Sequence, residues 1–138
     1  MVLDPKDINR LATGSHDKTI KIWDIELLKC LNTFEGHDKG IWSLVYNHDG
    51  SMMASASPDT KVKLWDPKSG KCINTLYGHS MFCYKAVFDS ESVSVASVGA
   101  DKMLNIWDVR MTKNPKMRVF SNGESNHCLI NCDFMPND

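Results

Sequence analysis

The chain has 138 residues, and its 16 Lys and Arg against 17 Asp and Glu give a formal net charge of −1. Hydrophobic residues make up 42%, which is enough to bury a core and excludes wholesale disorder. No stretch approaches the roughly 20 apolar residues of a membrane helix, and MVLDPKDINR has no secretory apolar run. A near-neutral charge argues against charge-led binding to nucleic acid. We expect an intracellular protein of the cytoplasm or nucleus, without a membrane or nucleic acid as its partner.

The five cysteines predict reduced thiols, because their number is odd and they form no CxxC pair. Cys30 and Cys72 lie in nearly identical surroundings, KCLNTFEGH and KCINTLYGH, and we interpret both as small buried hydrophobic residues. His127 and Cys128 could suggest a base and its nucleophile. Adjacent residues of a strand point to opposite faces, so this pair is geometrically poor for catalysis.

One pattern recurs along the chain with a period of 42 residues. Each copy contains a tryptophan that is preceded by an aspartate six residues earlier and by a hydroxyl residue ten residues earlier. The sets are Thr13, Asp17 and Trp23; Ser55, Asp59 and Trp65; and Ser97, Asp101 and Trp107. An aspartate follows each tryptophan, and Gly-His pairs stand at 36–37 and 78–79. Such a period is typical of a repeat architecture.

Each copy is predicted to contain short β-strands. The small and moderately apolar residues 51–57 and the alternating residues 61–66 are separated by the turn signal Pro58-Asp59. Residues 71–76 alternate again, and residues 82–88 form another apolar segment of strand length. No segment combines helical periodicity with start and stop signals, which predicts an all-β protein.

The Gly-His pairs, the spaced aspartates and the closing Trp-Asp dipeptides resemble those of the WD-repeat β-propeller family, over roughly residues 1–134. The resemblance implies an all-β WD-repeat β-propeller segment of about three four-stranded antiparallel blades. The expected units are partial blade 1 (strands b, c and d) at 1–34, blade 2 at 35–77, blade 3 at 78–121, and the innermost strand of a further blade within 122–138.

Three blades are fewer than the four to eight with which a propeller closes. Met1 to Leu3 are expected to be the tail of an innermost strand, and Leu129 to Phe134 the innermost strand of the next blade. We therefore expect a fragment of a larger propeller. The alternatives are self-association of two copies to complete a ring, and packing against other subunits of an assembly.

The resemblance also implies a buried hydrogen-bond relay in each blade, running from indole through hydroxyl and imidazole to carboxylate. The expected members are His37, Ser55, Asp59 and Trp65 in blade 2; His79, Ser97, Asp101 and Trp107 in blade 3; and Thr13, Asp17 and Trp23 in blade 1. A hydrolase needs one triad, whereas this set recurs, so we interpret it as scaffold. We predict no enzyme activity, no metal and no cofactor, with a hydrolase as the competing hypothesis.

For function, the resemblance implies a protein–protein interaction scaffold within a multiprotein assembly, with proteins or peptide motifs as partners. Its binding face would carry the Gly-His loops and the Asp hairpins. The candidate partner-binding residues there are Lys39, Trp42, Pro58, Met81, Phe82, Tyr84 and Ala100. Aromatic residues at such positions are enriched in binding hot spots. The alternative is that Trp42 and Tyr84 line the channel or pack between blades.

Two further functions are considered. Trp107-Asp108-Val109-Arg110 is similar to the WDxR ending found in substrate receptors of cullin–RING ubiquitin ligases, in which the arginine contributes to adaptor docking. The other copies read WDIE and WDPK, so Arg110 is particular to blade 3 and is a candidate docking residue. An RNA-processing or ribosome-assembly propeller is the other alternative, with the basic Lys113, Lys116 and Arg118 as its contact.

Overall fold

The computed structural model describes residues 1–111, 116–121 and 127–135. Within these ranges the chain forms twelve β-strands and no helix, arranged as three four-stranded antiparallel sheets. The predicted all-β fold of about three four-stranded blades is confirmed. In the same ranges no helix is long and apolar enough to cross a membrane.

Each sheet follows the order of the chain, so every strand pairs with its sequence neighbour. Blade 1 contains β1 (Val2–Leu3), β2 (Arg10–Gly14), β3 (Ile20–Asp24) and β4 (Lys29–Phe34). Blade 2 contains β5 (Ser43–Tyr46), β6 (Met53–Ala56), β7 (Lys61–Trp65) and β8 (Cys72–Tyr77). Blade 3 contains β9 (Cys83–Phe88), β10 (Ser94–Gly99), β11 (Met103–Asp108) and β12 (Lys116–Ser121).

A register shift recurs just before the tryptophan of each blade. It falls between Ile22 and Trp23 in β3, and the same shift precedes Trp65 in β7 and Trp107 in β11. Shifts of this kind locally bend a strand and redirect its side chains. The recurrence means that the three blades share their local geometry as well as their sequence pattern.

The two ends of the chain compare differently with the prediction. Blade 1 was expected to contain strands b, c and d, with Met1 to Leu3 as the tail of an innermost strand. Val2 and Leu3 pair with Ala12 and Leu11, so this tail is the fourth strand of blade 1. Residues 128–135 form no strand, whereas an innermost strand was predicted over 129–134. None of the described strands pairs with this segment, although Lys85 of β9 donates to Asn131 Oδ1 at 2.6 Å and Cys132 Sγ lies 4.0 Å from Ala96 O of β10. Residues 122–126 and 136–138 of the predicted further blade lie outside the described residues.

The core lies between neighbouring blades rather than within any one of them. Between blades 1 and 2 it contains Ala12, Ile20, Ile22, Phe34, Ile41, Leu44, Tyr46, Met53 and Trp65. Between blades 2 and 3 it contains Ala54, Ala56, Val62, Leu64, Leu76, Cys83, Ala86, Val95 and Trp107. The Ser43 hydroxyl also joins blades 2 and 3, since it lies 3.4 Å from both the N–H and the carbonyl oxygen of Ala86.

Candidate partner-binding site

In blade 2, four side chains form a continuous hydrogen-bonded chain from a strand to the loop before the blade. Trp65 Nε1–H donates to Ser55 Oγ at 2.8 Å, and Ser55 Oγ lies 2.7 Å from His37 Nε2. His37 Nδ1 lies 2.7 Å from Asp59 Oδ2, which also accepts the Asp38 N–H at 3.0 Å. The loop is thereby fastened to the hairpin that carries Asp59.

The protonation of this relay follows from its burial. Burial lowers the pKa of the His37 imidazole below its ordinary value, which favours the neutral ring. Burial also tends to raise the pKa of Asp59, but the hydrogen bonds from His37 and the Asp38 N–H outweigh it and lower that pKa overall. A neutral ring donates from Nδ1 to Asp59 and accepts the Ser55 hydroxyl proton at Nε2. The indole N–H then donates to the Ser55 hydroxyl, the hydroxyl donates to His37 Nε2, and His37 Nδ1–H donates to Asp59, so every donor of the relay has an acceptor.

Blade 3 has the same relay, and blade 1 has only its first link. Trp107 Nε1 and His79 Nε2 each lie 2.8 Å from Ser97 Oγ, and His79 Nδ1 lies 2.9 Å from Asp101 Oδ2. In blade 1, the indole N–H of Trp23 donates to Thr13 Oγ1 at 2.8 Å. Asp17 accepts instead from the N–H and the hydroxyl of Thr19, at 2.9 and 2.7 Å.

The relays have the Ser-His-Asp order of a hydrolase triad. Their serine hydroxyls, however, are not accessible to a substrate. Ser55 and Ser97 have no solvent-exposed surface, and each hydroxyl already accepts an indole N–H. A substrate carbonyl therefore cannot approach either oxygen, whereas nucleophilic catalysis needs that contact. The relays hold the loops at one face of the blades in place.

A glycine precedes the relay histidine because the tryptophan ring passes close to the main chain. Gly36 has φ +148°, and a Cβ atom there would lie 3.2 Å from Trp65 Cη2. Phe34 stacks on the same indole, with 6.2 Å between ring centroids. The loop entering blade 2 is thus fitted against Trp65 before it reaches the surface.

On the surface beside the relays, Trp42, Phe82 and Tyr84 form what we call the aromatic cluster. Trp42 stacks on Tyr84 with centroids 5.4 Å apart and ring planes at 5°, and meets Phe82 edge to face at 5.8 Å. Trp42 is 47% exposed and Phe82 is 40% exposed. Main-chain bonds from Trp42 N–H to Ala56 O (2.9 Å) and from Ala100 N–H to Phe82 O (2.8 Å) fix the cluster to the hairpins. It is an exposed apolar patch on a rigid support.

The structure brings some of the predicted binding residues together and separates others. Lys39 joins the aromatic cluster, since its Nζ lies 5.2 Å from the centroid of the Phe82 ring. Met81 is exposed in the same loop as Phe82. Pro58 and Ala100 are buried, so these two candidates offer a partner little side-chain surface. They are buried because they lie in the tight hairpins against which the preceding loops pack.

Beside the aromatic cluster lies an open cleft of about 430 Å³, which we call the basic cleft. It is lined by His16, Lys18, Asp38, Lys39, Gly40, Trp42, Pro58 and Phe82. Gly40 lets the blade 1 hairpin approach, because a Cβ atom there would lie 2.9 Å from His16 Nδ1. His16 and Lys18 were missed in the sequence, although His16 stands 42 residues before Pro58 in the repeat and could have been found by that spacing.

Arg110 lies at the far end of β11 from the relay hairpin and binds its own blade. Its Nε donates to Asp108 Oδ1 at 2.9 Å and its Nη2 donates to Asp108 Oδ2 at 2.6 Å. These hydrogen bonds lower the pKa of Asp108 to about 2. The Arg110 side chain is 66% exposed, so it stays accessible from solvent. Docking of an adaptor through Arg110 stays a prediction.

The cysteines take different environments. Cys72 is exposed and Cys30 is half-buried, so the expectation that both are buried is wrong. Each donates its thiol hydrogen to a main-chain carbonyl two residues further on. Cys83 is buried, and burial raises its thiol pKa well above the ordinary value. Cys128 is exposed and donates to Ala100 O at 3.5 Å.

Comparison with known proteins places the repeats in a family. The WD domain, G-beta repeat, matches residues 5–24, 28–66 and 70–108, which together exceed half of the chain. A Lissencephaly-1 homolog of Heterostelium pallidum is 46% identical over 43 residues, 31% of this chain and 10% of that protein. The probable coatomer subunit beta' of Caenorhabditis elegans is 42% identical over 50 residues, covering 36% of this chain and 5% of that protein.

Cell division control protein 4 of Saccharomyces cerevisiae is 39% identical over 41 residues, covering 30% of this chain and 5% of that protein. The matched segments thus span a tenth or less of each of these relatives. The family match extends over all three blades and includes the three tryptophans. The chain belongs to the WD-repeat family.

Proposed function

We propose that this chain is a protein-interaction scaffold, and that its aromatic cluster binds a peptide segment of a partner protein. The observation that supports this most is the exposed stack of Trp42 on Tyr84 with Phe82 at its edge. Tryptophan and tyrosine are enriched among the few residues that contribute most of the binding energy of protein interfaces.

The rigidity of the cluster favours binding. Its two loops are tied by main-chain bonds to hairpins that the relays hold in place. A surface that is ordered before binding loses little conformational entropy when a ligand arrives. A partner is therefore expected to meet a preformed site.

The comparisons support the same general role. WD-repeat domains commonly act as platforms rather than catalysts, so function belongs to exposed residues on a stable scaffold. One relative is named as a coatomer subunit, which makes that protein a part of a larger assembly. We propose membership of a multiprotein assembly for this chain as well.

Selection of peptides from a random phage-displayed library on the purified chain tests the proposal. Selected peptides should bind the wild type, and Trp42→Ala should weaken their dissociation constants at least tenfold. Tyr77→Ala removes an exposed aromatic residue from the outer strand β8 and should leave binding unchanged. Circular dichroism should show that both variants keep the β-sheet fold. Equal binding by Trp42→Ala, or a selection without binders, would contradict the proposal.

A further inference from the structure

We propose that the peptide held by the aromatic cluster is acidic, with an Asp or Glu side chain in the basic cleft beside an apolar residue on Trp42 and Phe82. This inference rests on the function proposed above and adds the chemistry of the ligand. It follows from the charges that line the cleft and from their absence at the equivalent position of the next blade.

The lining of the basic cleft has an excess of positive charge. Lys39 lies over the Phe82 ring, and Lys18 and His16 line the same cleft. Cation–π contact keeps the Lys39 ammonium beside the aromatic surface while its hydrogens stay available. None of the ion pairs found among the described residues involves Lys18 or Lys39.

The one carboxylate in the lining, that of Asp38, already forms an ion pair. Asp38 Oδ2 lies 2.5 Å from Lys61 Nζ, and this hydrogen bond lowers the pKa of Asp38. Its charge is therefore compensated by a lysine outside the cleft lining. A carboxylate arriving with a ligand would meet ammonium groups rather than a like charge.

Lys39 is the stronger determinant of the two lysines. Lys18 also borders a second cleft, whose lining includes Asp17 and Glu35, so these carboxylates balance part of its charge. Lys39 lies over the aromatic face of Phe82 and lines the basic cleft, and it does not border the second cleft. The test is therefore directed at Lys39.

The positive charge of the loop before blade 2 is not part of the repeat. The residues 42 positions after Asp38, Lys39 and Gly40 are Ser80, Met81 and Phe82, so the next loop has no charge there. A scaffold requirement would recur with the blade, as the relay does. The charged loop before blade 2 is thus a feature of one junction, which is what a ligand-specific contact needs.

The comparison with blade 3 also supplies the test variant. Lys39→Met places at this position the residue that the equivalent loop already has, so the fold should tolerate it. Lys68→Met is the matched control, because Lys68 is exposed in the turn between β7 and β8, away from the cleft. Lys39→Glu reverses the charge and extends the series.

The experiment sequences the peptides selected on the wild-type chain and measures synthetic pairs, one acidic and one with its Asp and Glu replaced by Asn and Gln. The acidic member should bind at least tenfold more tightly at physiological salt. Lys39→Met should reduce that preference to threefold or less, Lys39→Glu should reverse it, and Lys68→Met should keep it.

The outcomes separate this inference from the function on which it rests. Selected peptides that lack acidic residues, or pairs that bind equally, would overturn the acidic ligand while loss of binding in Trp42→Ala still supports peptide binding. A single-stranded oligonucleotide that displaces the peptides and binds more tightly would also overturn it. If no selected peptide depends on Trp42, both the inference and the proposed function fail.

Discussion

The indole of Trp42 lies parallel to the ring of Tyr84, although 42 residues separate the two along the chain. Tyr84 belongs to β9, and Trp42 directly precedes β5, so the stack joins the innermost strands of successive blades. Both residues occupy the same position in successive copies of the repeat, so their contact lies at the junction between blades 2 and 3. A ligand on this stack touches two blades at once.

The first prediction concerns the energy of that stack. Trp42→Ala and Tyr84→Ala should show a coupling of about 0.5–1.5 kcal/mol in the free energy of unfolding, because stacked rings stabilise each other beyond the area they bury. Urea denaturation of the two single variants and the double variant measures it. Trp42→Ala combined with Leu28→Ala, an exposed residue of the β3–β4 turn, is the additive control. Additivity of the first pair within the error of the control would contradict the prediction.

The second prediction compares two hydroxyls at the same repeat position. Ser55→Ala strands both the indole N–H of Trp65 and His37 Nε2 inside the core and should cost about 2–3 kcal/mol of unfolding free energy. Thr13→Val strands only the indole N–H of half-buried Trp23 and should cost about 1 kcal/mol. Denaturant titrations measure both, with the exposed Ser90→Ala as a neutral reference. Equal costs for Ser55→Ala and Thr13→Val would show that the longer relay adds no stability.

The third prediction is a loss of stability in acid. The pKa of His37 is lowered by folding, so below about pH 6.5 the unfolded chain binds a proton that the folded chain does not. The free energy of unfolding should therefore fall as the pH drops from 6.5. The lowered pKa of Asp59 adds a second loss as the pH falls below about 3.8.

Denaturant titrations between pH 7.5 and 4.5 measure the first of these losses. His37→Gln should flatten the dependence of stability on pH, whereas His48→Gln, which removes an exposed histidine, should leave the slope unchanged. A stability that rises as the pH falls from 6.5 to 5 would contradict the prediction, as would an unchanged slope in His37→Gln.

The fourth prediction concerns a buried amide in β11. Asn105 has no exposed surface, and neither Oδ1 nor Nδ2 has a hydrogen-bond partner among the described residues. Its counterpart Lys63 in blade 2 has a longer side chain and reaches Thr75 Oγ1 at 2.8 Å. Asn105→Leu removes the unsatisfied groups while it keeps the number and branching of the side-chain heavy atoms, and it should raise the unfolding free energy by about 1 kcal/mol. Thermal denaturation measures both changes. The melting temperature should rise in Asn105→Leu and fall in Asn105→Asp. A lower melting temperature in Asn105→Leu would contradict the prediction.

Most of the fold could be predicted from the sequence because a strand that is recognised in one copy of the repeat is expected at the same position in the other copies. Alternation near Trp65 predicts one strand, and the 42-residue period extends it to Trp23 and Trp107. Met1 to Leu3 were assigned to the tail of an innermost strand by their similarity to residues 87–90 and 133–136, because two residues carry too little alternation to define a strand alone. The exposure of Cys72 was missed because identical surroundings indicate an equivalent position without indicating its burial.

The basic cleft was harder to predict for a different reason. It joins the hairpin residues His16 and Lys18 to Trp42 and Phe82, which come from separate loops. Repeat spacing gives equivalent positions within blades, whereas contacts across a junction depend on how closely the loops approach. Here that approach is set by Gly40, whose equivalent in the next loop is Phe82.

The bridge between Ser43 and the main chain of Ala86 bears on how the molecule unfolds. In an array whose units contact only their neighbours, the stability of each unit is the sum of its intrinsic stability and the contribution of its interfaces. Blade 2 shares one core cluster with blade 1 and the other with blade 3. Loss of packing at either interface is therefore expected to destabilise blade 2, and faster amide hydrogen exchange in its strands would report this.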